Sequence, residues 1–486
     1  MKKILTTSII LTSFLSAYST DYLEYQINQL QKEIKTLKTQ VKKPEKKQSN
    51  SEIDKLKAEI KKLKAKVDDN EAYTEDVESS LDSLTAKVLK NNRVGFTRLK
   101  FDSTMHNFHY KSANGGSYLN TNVDTINLKL DLEKIISPNL TFRGQLAMYK
   151  YWAQGAYYPY SNYDNMQGRV PSDTSLYVTR AYIDWKVAEG KIPTTLTIGR
   201  QPSSSGPSWQ YSNNGVRYGT YDALVFDGNA DGIVATMSLN KVTPLKNSAL
   251  RLAYGKGYQN NSFDTQNNGL DDTNVYGLFF ESAIPSIKNS FMQFYYSKAN
   301  DVNNMQNQTI GDITWFGGMF ELNNINHFDF FAHFSISKAK PNGQLAIIDD
   351  QNHTAGLLTN TAGDTDTKIG RAVWIGTRYS FNSKAKIGLE YGRGSKNWIN
   401  MTQGSDNILN PRSTRGNVLD VYGIFPIDKT IGVNAFIKVG TTRIDYKYSN
   451  SGTPFGAPTK IDSTMQNAAN TIDSINDFYI NFQVNY

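Results

Sequence analysis

Cysteine is absent from the 486 residues, which excludes disulfides, thiolate metal sites, a cysteine nucleophile and the acylated cysteine of a lipoprotein. Histidine is scarce, and His106, His109, His327, His333 and His353 show no metal-ligand spacing. His106 and His109 stand three apart, a separation that puts them on opposite faces of a strand. No glycine-rich phosphate loop with its lysine and serine occurs. No metal site, cofactor or catalytic group is therefore expected, and an enzyme is the least supported class. Asp271-Asp272 and Asp349-Asp350 fall in polar loops, where such pairs are usually just hydrated. Long apolar runs are also missing: past the first two dozen positions nothing approaches the roughly 18 residues of a membrane-crossing helix. Charge of one sign is not in marked excess. The net +8 includes Lys2 and Lys3, so +6 remains beyond them, too diffuse to predict nucleic-acid binding.

What is present points elsewhere. Aromatic residues reach 12% although hydrophobic residues make up only 39%. Strands that show an apolar face only at every second residue tolerate that balance, even in a membrane, provided the sheet closes and leaves no unpaired edge. Residues 1–19 read as a secretory signal: Lys2 and Lys3, an apolar stretch from Ile4 to Leu15, then Ser16-Ala17-Tyr18-Ser19. Export without a lipid anchor follows.

Residues 20–92 carry a seven-residue rhythm. Leu23, Ile27, Leu30, Ile34, Leu37 and Val41 alternate three and four apart, with Ile or Val at a and Leu at d of a coiled-coil heptad. Pro44 breaks the helix within 42–51, since proline removes a donor and clashes with the preceding turn. The seam then resumes through Ile53, Leu56, Ile60, Leu63, Val67 and Asn70. It continues through Thr74, Val77, Leu81, Leu84 and Val88 for about five heptads, on the order of 50 Å of rod. Ile at a with Leu at d favours two strands, and Asn70 and Thr74 could fix register. Residues 32–66 are lysine-rich, whereas 68–82 hold only acids among their charges. This division suits a solvated surface, or a basic half that touches an anionic wall polymer.

Past Arg93 the period drops to two. Apolar-polar alternation predicts strands at 94–101, 126–132, 140–148, 177–187, 194–201, 232–239, 249–254 and 274–284. A second set follows at 291–298, 314–322, 327–337, 371–381, 385–393, 418–425, 431–439 and 478–486. Short connections alternate with long polar ones, as in barrels with tight turns at one end and loops at the other. The fold expected of 93–486 is an all-β transmembrane barrel of about 16 antiparallel strands, preceded by the α-helical coiled coil.

The last nine residues alternate apolar Phe478, Ile480, Phe482, Val484 and Tyr486 with Asn481, Gln483 and Asn485. A final strand of this kind ending on an aromatic resembles the signal by which outer-membrane barrels engage their assembly machinery. With the leader, the coiled coil and the strand count, the chain resembles the porin superfamily, in particular porin-like proteins with a helical N-terminal extension. The resemblance implies an outer-membrane barrel with the coiled coil in the periplasm. Its implied partners are membrane lipid, the barrel-assembly machinery and further copies of the chain as a trimer or dimer, with peptidoglycan a possible contact of the rod. It implies a passive diffusion channel for small hydrophilic solutes or ions; a plugged barrel serving as structural anchor or adhesin is the alternative.

Charged strand residues mark the water-filled side of such a barrel. Lys129, Asp131, Arg143, Arg180, Asp184 and Lys186 are expected to line the pore, as are Arg251, Arg378, Lys386, Glu390, Asp420 and Lys438. The signs are mixed, so strong ion selectivity is not expected. Gly199-Arg200-Gln201 resembles a recurrent porin feature before a long loop. If the following segment, with Trp209, Tyr211, Arg217 and Tyr218, turns inward as the third loop of porins commonly does, Arg200 and Arg217 would stand at a constriction. Tyr151, Trp152, Trp185, Tyr379 and Tyr391 fit interfacial girdles.

Overall fold

The computed structural model describes residues 95–116, 119–152, 174–259, 272–303, 308–347, 353–402, 406–427 and 434–486, apart from a few single positions, with some helical positions earlier in the chain. The chain divides into two units, Met1–Asn92 and Arg93–Tyr486. Of the first, residues 57–62 are helical, and Ile60 is half-buried. The leader and the remaining seam residues lie outside the described residues.

The second unit is a closed barrel. Its strands are β1 (Gly95–Ser112), β2 (Leu119–Ser137), β3 (Leu140–Tyr151), β4 (Tyr177–Ala188), β5 (Thr194–Arg200), β6 (Asp231–Ser238), β7 (Ala249–Tyr258) and β8 (Thr273–Ser282). These continue as β9 (Ser290–Asn303), β10 (Thr309–Ile325), β11 (Phe328–Pro341), β14 (Lys368–Ser380), β15 (Lys386–Gly394), β16 (Gly416–Pro426), β17 (Asn434–Tyr446) and β18 (Ile472–Asn485). The short pair β12 (Ala346–Ile347) and β13 (Thr354–Ala355) stands apart from the wall. Sixteen strands therefore pair antiparallel with their chain neighbours, and β1 closes the ring on β18, with Phe101 opposite Val484 and His106 opposite Tyr479.

All sixteen expected strands are present, most of them longer than the alternation predicts. β1 runs to Ser112 rather than ending at 101, because the first turn chemistry after it is Ala113-Asn114-Gly115. β9 and β10 similarly shorten the expected 300–312 loop to 304–308. One of the two-residue connections joins β10 to β11 through Asn326 and His327, both at positive φ (50° and 71°), the turn whose twist matches a hairpin.

β11 displays the two faces. Phe328, Phe330 and Phe334 are exposed on the outside, while Asp329, Phe331, His333, Ser335 and Ser337 are buried within. On β18, Phe478, Ile480, Phe482 and Val484 face out, and Asp477, Tyr479, Asn481 and Gln483 face in. The exterior is thus an apolar belt, with exposed residues such as Trp185, Leu252, Phe294, Ile375 and Leu389 from many strands. Such exposure has no place on a water-soluble surface, where large contiguous apolar patches are rare.

Candidate functional site: the lumen

Two loops fold inside the ring. The β5–β6 loop, 201–230, starts where Gln201 is pinned: its amide Nε2 donates to the Gly199 and Gly232 carbonyls, at 3.0 and 2.7 Å. The loop then descends to the end of the barrel that carries the short turns, through a one-turn helix, α1 (Trp209–Ser212). There the Tyr211 hydroxyl donates to Asn323 at 2.7 Å, Lys386 donates to Asn214 at 2.5 Å, and Gln483 donates to the Asn213 carbonyl at 3.2 Å. A loop rooted on β5 and β6 therefore reaches β15 and β18 on the far wall. The β15–β16 loop, 395–415, crosses in its turn, and Asp406 pairs with Lys129 of β2 while its carbonyl accepts from the Tyr149 hydroxyl at 3.0 Å.

The loops meet on one side of the lumen. Phe226 and Met401 form a β-bridge, the Asn400 amide donates to the Leu224 carbonyl at 3.2 Å, and the Trp315 indole N–H donates to the Ile399 carbonyl at 2.9 Å. Around them Leu224, Val225, Trp315, Trp398 and Ile399 are at most 1% exposed. Phe226 sits edge-on to Phe279, Tyr295 and Trp315, the arrangement favoured by ring quadrupoles. One buried ionisable pair ties this core to the wall: Asp222 of the loop and His333 of β11, 2.5 Å apart and fully enclosed. Burial also pushes the Tyr221 phenol up to about 12 and raises that of Tyr211, so both remain neutral.

The other side is wet. Against β1 and β14–β18 lies a polar cavity of about 120 Å³, running from Gln483 near the short-turn end to Asn407 and Asn410 in the β15–β16 loop. Its lining includes six carboxylates, three lysine or arginine residues and His106. The bases lie flat on aromatic rings. Lys100 stands 5.0 Å over Trp209, Arg412 5.3 Å over Trp374, and Lys438 4.5 Å over Tyr422 and 4.9 Å over Tyr479. Two inward glycines allow those rings to lie against the wall: a methyl at Gly392 would enter the Trp374 indole, and one at Gly440 the Tyr479 phenol.

The expected pore residues distribute over both sides. Glu390, Asp420 and Lys438 line the wet cavity. Glu390 accepts from the Trp374 indole at 2.8 Å, and Asp420 accepts from Thr442 at 2.9 Å. Asp131, Arg143 and Asp184 form a ladder on β2, β3 and β4, in which Gln145 donates to Asp131 at 2.7 Å and Arg143 pairs with Glu133 and Asp184. Arg180 donates to the Ser204 carbonyl at 3.0 Å, and Arg378 holds both Asp329, at 2.7 Å, and the Tyr211 carbonyl, at 2.9 Å. Arg251 pairs with Glu281 at 2.8 Å. Lys186 is exposed at the short-turn end of β4.

Three placements differ from the sequence reading. Arg200 lies opposite Asp231 and Ala181, on the same outward face as Ile198, and its guanidinium pairs with Asp231 at 3.1 Å. The two-residue period carries it to the outside, so it does not stand beside Arg217, whose guanidinium is 4.4 Å over Phe291. Tyr151 packs against the inner core rather than joining a girdle. Asp272 is paired with Lys256. Conversely, Asp102, His106 and Asp477 line the cavity without having been expected there; the inward parity of Lys100, Asp102, Thr104 and His106 would have exposed the first two had β1 been extended past Phe101. Among the described residues no group of three or more His, Asp or Glu side chains is arranged to hold a metal.

No curated protein matches the chain. Solved barrels resemble its shape. Salmonella typhi OmpF, solved with daunomycin, is 11% identical over 80% of this chain and 98% of its own, with a TM-score of 0.45. Pseudomonas putida OprB at high pH is 11% identical over 83% of this chain and 96% of its own, with a TM-score of 0.46. Vibrio cholerae OmpT, folded in vitro and in trimer form, is 11% identical over 80% and 99%, with a TM-score of 0.39. The closed ring itself rests on the strand pairing above. By sequence, residues 118–486 match one family pattern from the loop before β2 to the terminal tyrosine, and the chain belongs to the family described as protein of unknown function, DUF3373.

Proposed function

We propose that the chain is an outer-membrane channel of the porin kind, passing small hydrophilic solutes or ions through the wet side of its lumen, with its coiled coil in the periplasm. The single observation that carries this reading is the charged cavity inside a ring whose outside is apolar. A membrane-exposed exterior needs no ionisable interior for stability, since buried charges cost free energy unless paired. A lining rich in both signs is instead what hydrated solutes require. The leader and the terminal aromatic strand support export and barrel assembly, and the heptad seam supports association of copies or tethering to the wall.

Planar-bilayer recording of the purified full chain tests the channel. Discrete open-pore steps are expected, smaller than those of a barrel with an empty lumen. A second reading, a plugged barrel serving as anchor or adhesin, draws on the core that fills the other side; a correctly inserted barrel that never conducts decides for it.

A further inference from the structure

At the short-turn end, where the apolar belt stops, four successive turns share one composition. Lys134 is followed by Ile135 and Ile136 before the β2–β3 turn; the β4–β5 turn holds Lys191-Ile192, the β6–β7 turn Lys241-Val242 and the β8–β9 turn Ile287-Lys288. Each of these isoleucines and the valine is at least 38% exposed. Lys191, Lys241 and Lys288 are exposed as well. Lys134 is half-buried on the outward face of β2, opposite Phe142, while its neighbour Glu133 pairs with Arg143.

A turn surrounded by water alone gains nothing from showing an isoleucine. At the edge of the belt the same residue can sink into a lipid leaflet, while the adjoining lysine lays its stem along apolar surface and keeps its ammonium among the head groups. The charge is also one-sided. Glu189 is the one carboxylate among the described residues of these four turns, whereas Lys186 and Lys246 add to the bases of the same arc. None of these lysines is paired with a carboxylate among the described residues. The long-loop end differs: there Lys256 pairs with Asp272, Lys298 with Asp312 and Lys368 with Asp364. Charge is neutralised within the protein at that rim and left for a partner at this one.

We infer that the arc of turns from β2 to β9 is a docking surface for anionic phospholipid head groups in the leaflet facing the short-turn end. Such a lipid brings phosphate acceptors and net negative charge to the ammonium groups, and its chains continue onto the apolar belt. One molecule thereby answers both halves of each lysine and apolar pair. A zwitterionic lipid offers the chains without the net charge, and a soluble anion offers the charge without the chains. The inference rests on the membrane placement proposed above, and not on conduction.

Trp185 supplies the reporter. It is 47% exposed on the outer face of β4, opposite Leu140 and Leu196 and near the first two of these turns. Trp209, Trp315, Trp374 and Trp398 are buried, so Trp152→Phe leaves Trp185 the only indole facing outward. The full chain with that change is reconstituted in mixed vesicles of phosphatidylcholine and phosphatidylglycerol, with bromine on the chains of one lipid or the other. Quenching of Trp185 then reads which lipid lies beside it. At equal mole fractions phosphatidylglycerol is expected at about three times the occupancy of phosphatidylcholine, with added salt lowering the ratio. Lys134→Gln combined with Lys191→Gln should bring the ratio to about one, and arginine at both positions should keep it. Parity between the lipids around the native lysines, an undiminished ratio in the glutamine pair, or loss of the ratio in the arginine pair overturns the inference. A barrel that inserts and shows parity leaves the membrane reading standing without the docking surface, whereas a chain that enters no vesicle sinks both.

Discussion

The two sides of the lumen are lined by strands of the same alternating pattern, yet one is packed like the interior of a globular domain and the other is lined with charge. On the filled side, β9, β10 and β11 present Tyr295, Trp315 and Phe331 inward, and the loops supply Leu224, Val225 and Ile399 to meet them. On the wet side, β1, β16, β17 and β18 present Asp102, Asp420, Lys438 and Asp477, and between them and the loops a polar cavity remains. Where the wall offers apolar rings, a loop gains by burying its own apolar residues there. Where the wall offers charge, burial would cost more than it returns, and a cavity persists.

If this division is right, damage to the two sides should differ in kind. His333→Ala removes the partner of Asp222 at a fully enclosed site, where the carboxylate also accepts from the Leu224 amide at 2.8 Å. The expected loss is about 3–5 kcal/mol, the cost of breaking a buried pair, read as a lower temperature at which the folded barrel converts to the unfolded band on a gel. An unchanged transition would show that the filled side does not hold the loop. Asp420→Asn, on the wet side, keeps an oxygen to accept from Thr442 or Tyr479. It should cost about 1 kcal/mol or less while altering single-channel conductance; a large loss of stability with unaltered conductance would erase the distinction.

The smallest effect lies in the loop between β11 and β14. Hydrogen bonds from Thr359 and Lys368, with the Asp366 amide, hold the Asp364 carboxyl down to about 2. Because its folded value is depressed, its stabilisation is present above the ordinary carboxylate range and is lost as pH falls through about 2. Pepsin should therefore spare the 342–367 loop at pH near 4 and cut it faster toward pH 2, and equal cutting at both would contradict this role.

The strands were legible because each shows apolar outward and inward residues in alternation, a signal as plain in Phe328 to Phe334 as in Phe478 to Tyr486. The filling was legible only in part: the segment after Gln201 could be read as turning inward, whereas 395–415, rich in Ser and Asn, read as a surface connection. A further mark was the short apolar clusters inside them, Ala223-Leu224-Val225, Trp398-Ile399 and Ile408-Leu409, which a solvated loop would not carry. Arg200 follows the parity of Ile198 to the outside although its sequence neighbours suggest a loop entrance, and Asp477 shares its strand's inner face with Tyr479 while the apolar signal comes from the outer one.

The crossing of the β5–β6 loop to β15 and β18 has a mechanical side. A ring of strands is stiff along each strand and soft to being squeezed oval, because only the hinge-like hydrogen bonds between neighbours resist. A strut fixed at both ends across that ring removes the soft direction. The bore of this barrel is then dictated by a span of some thirty residues, 201–230, and not by the pressure of whatever surrounds it.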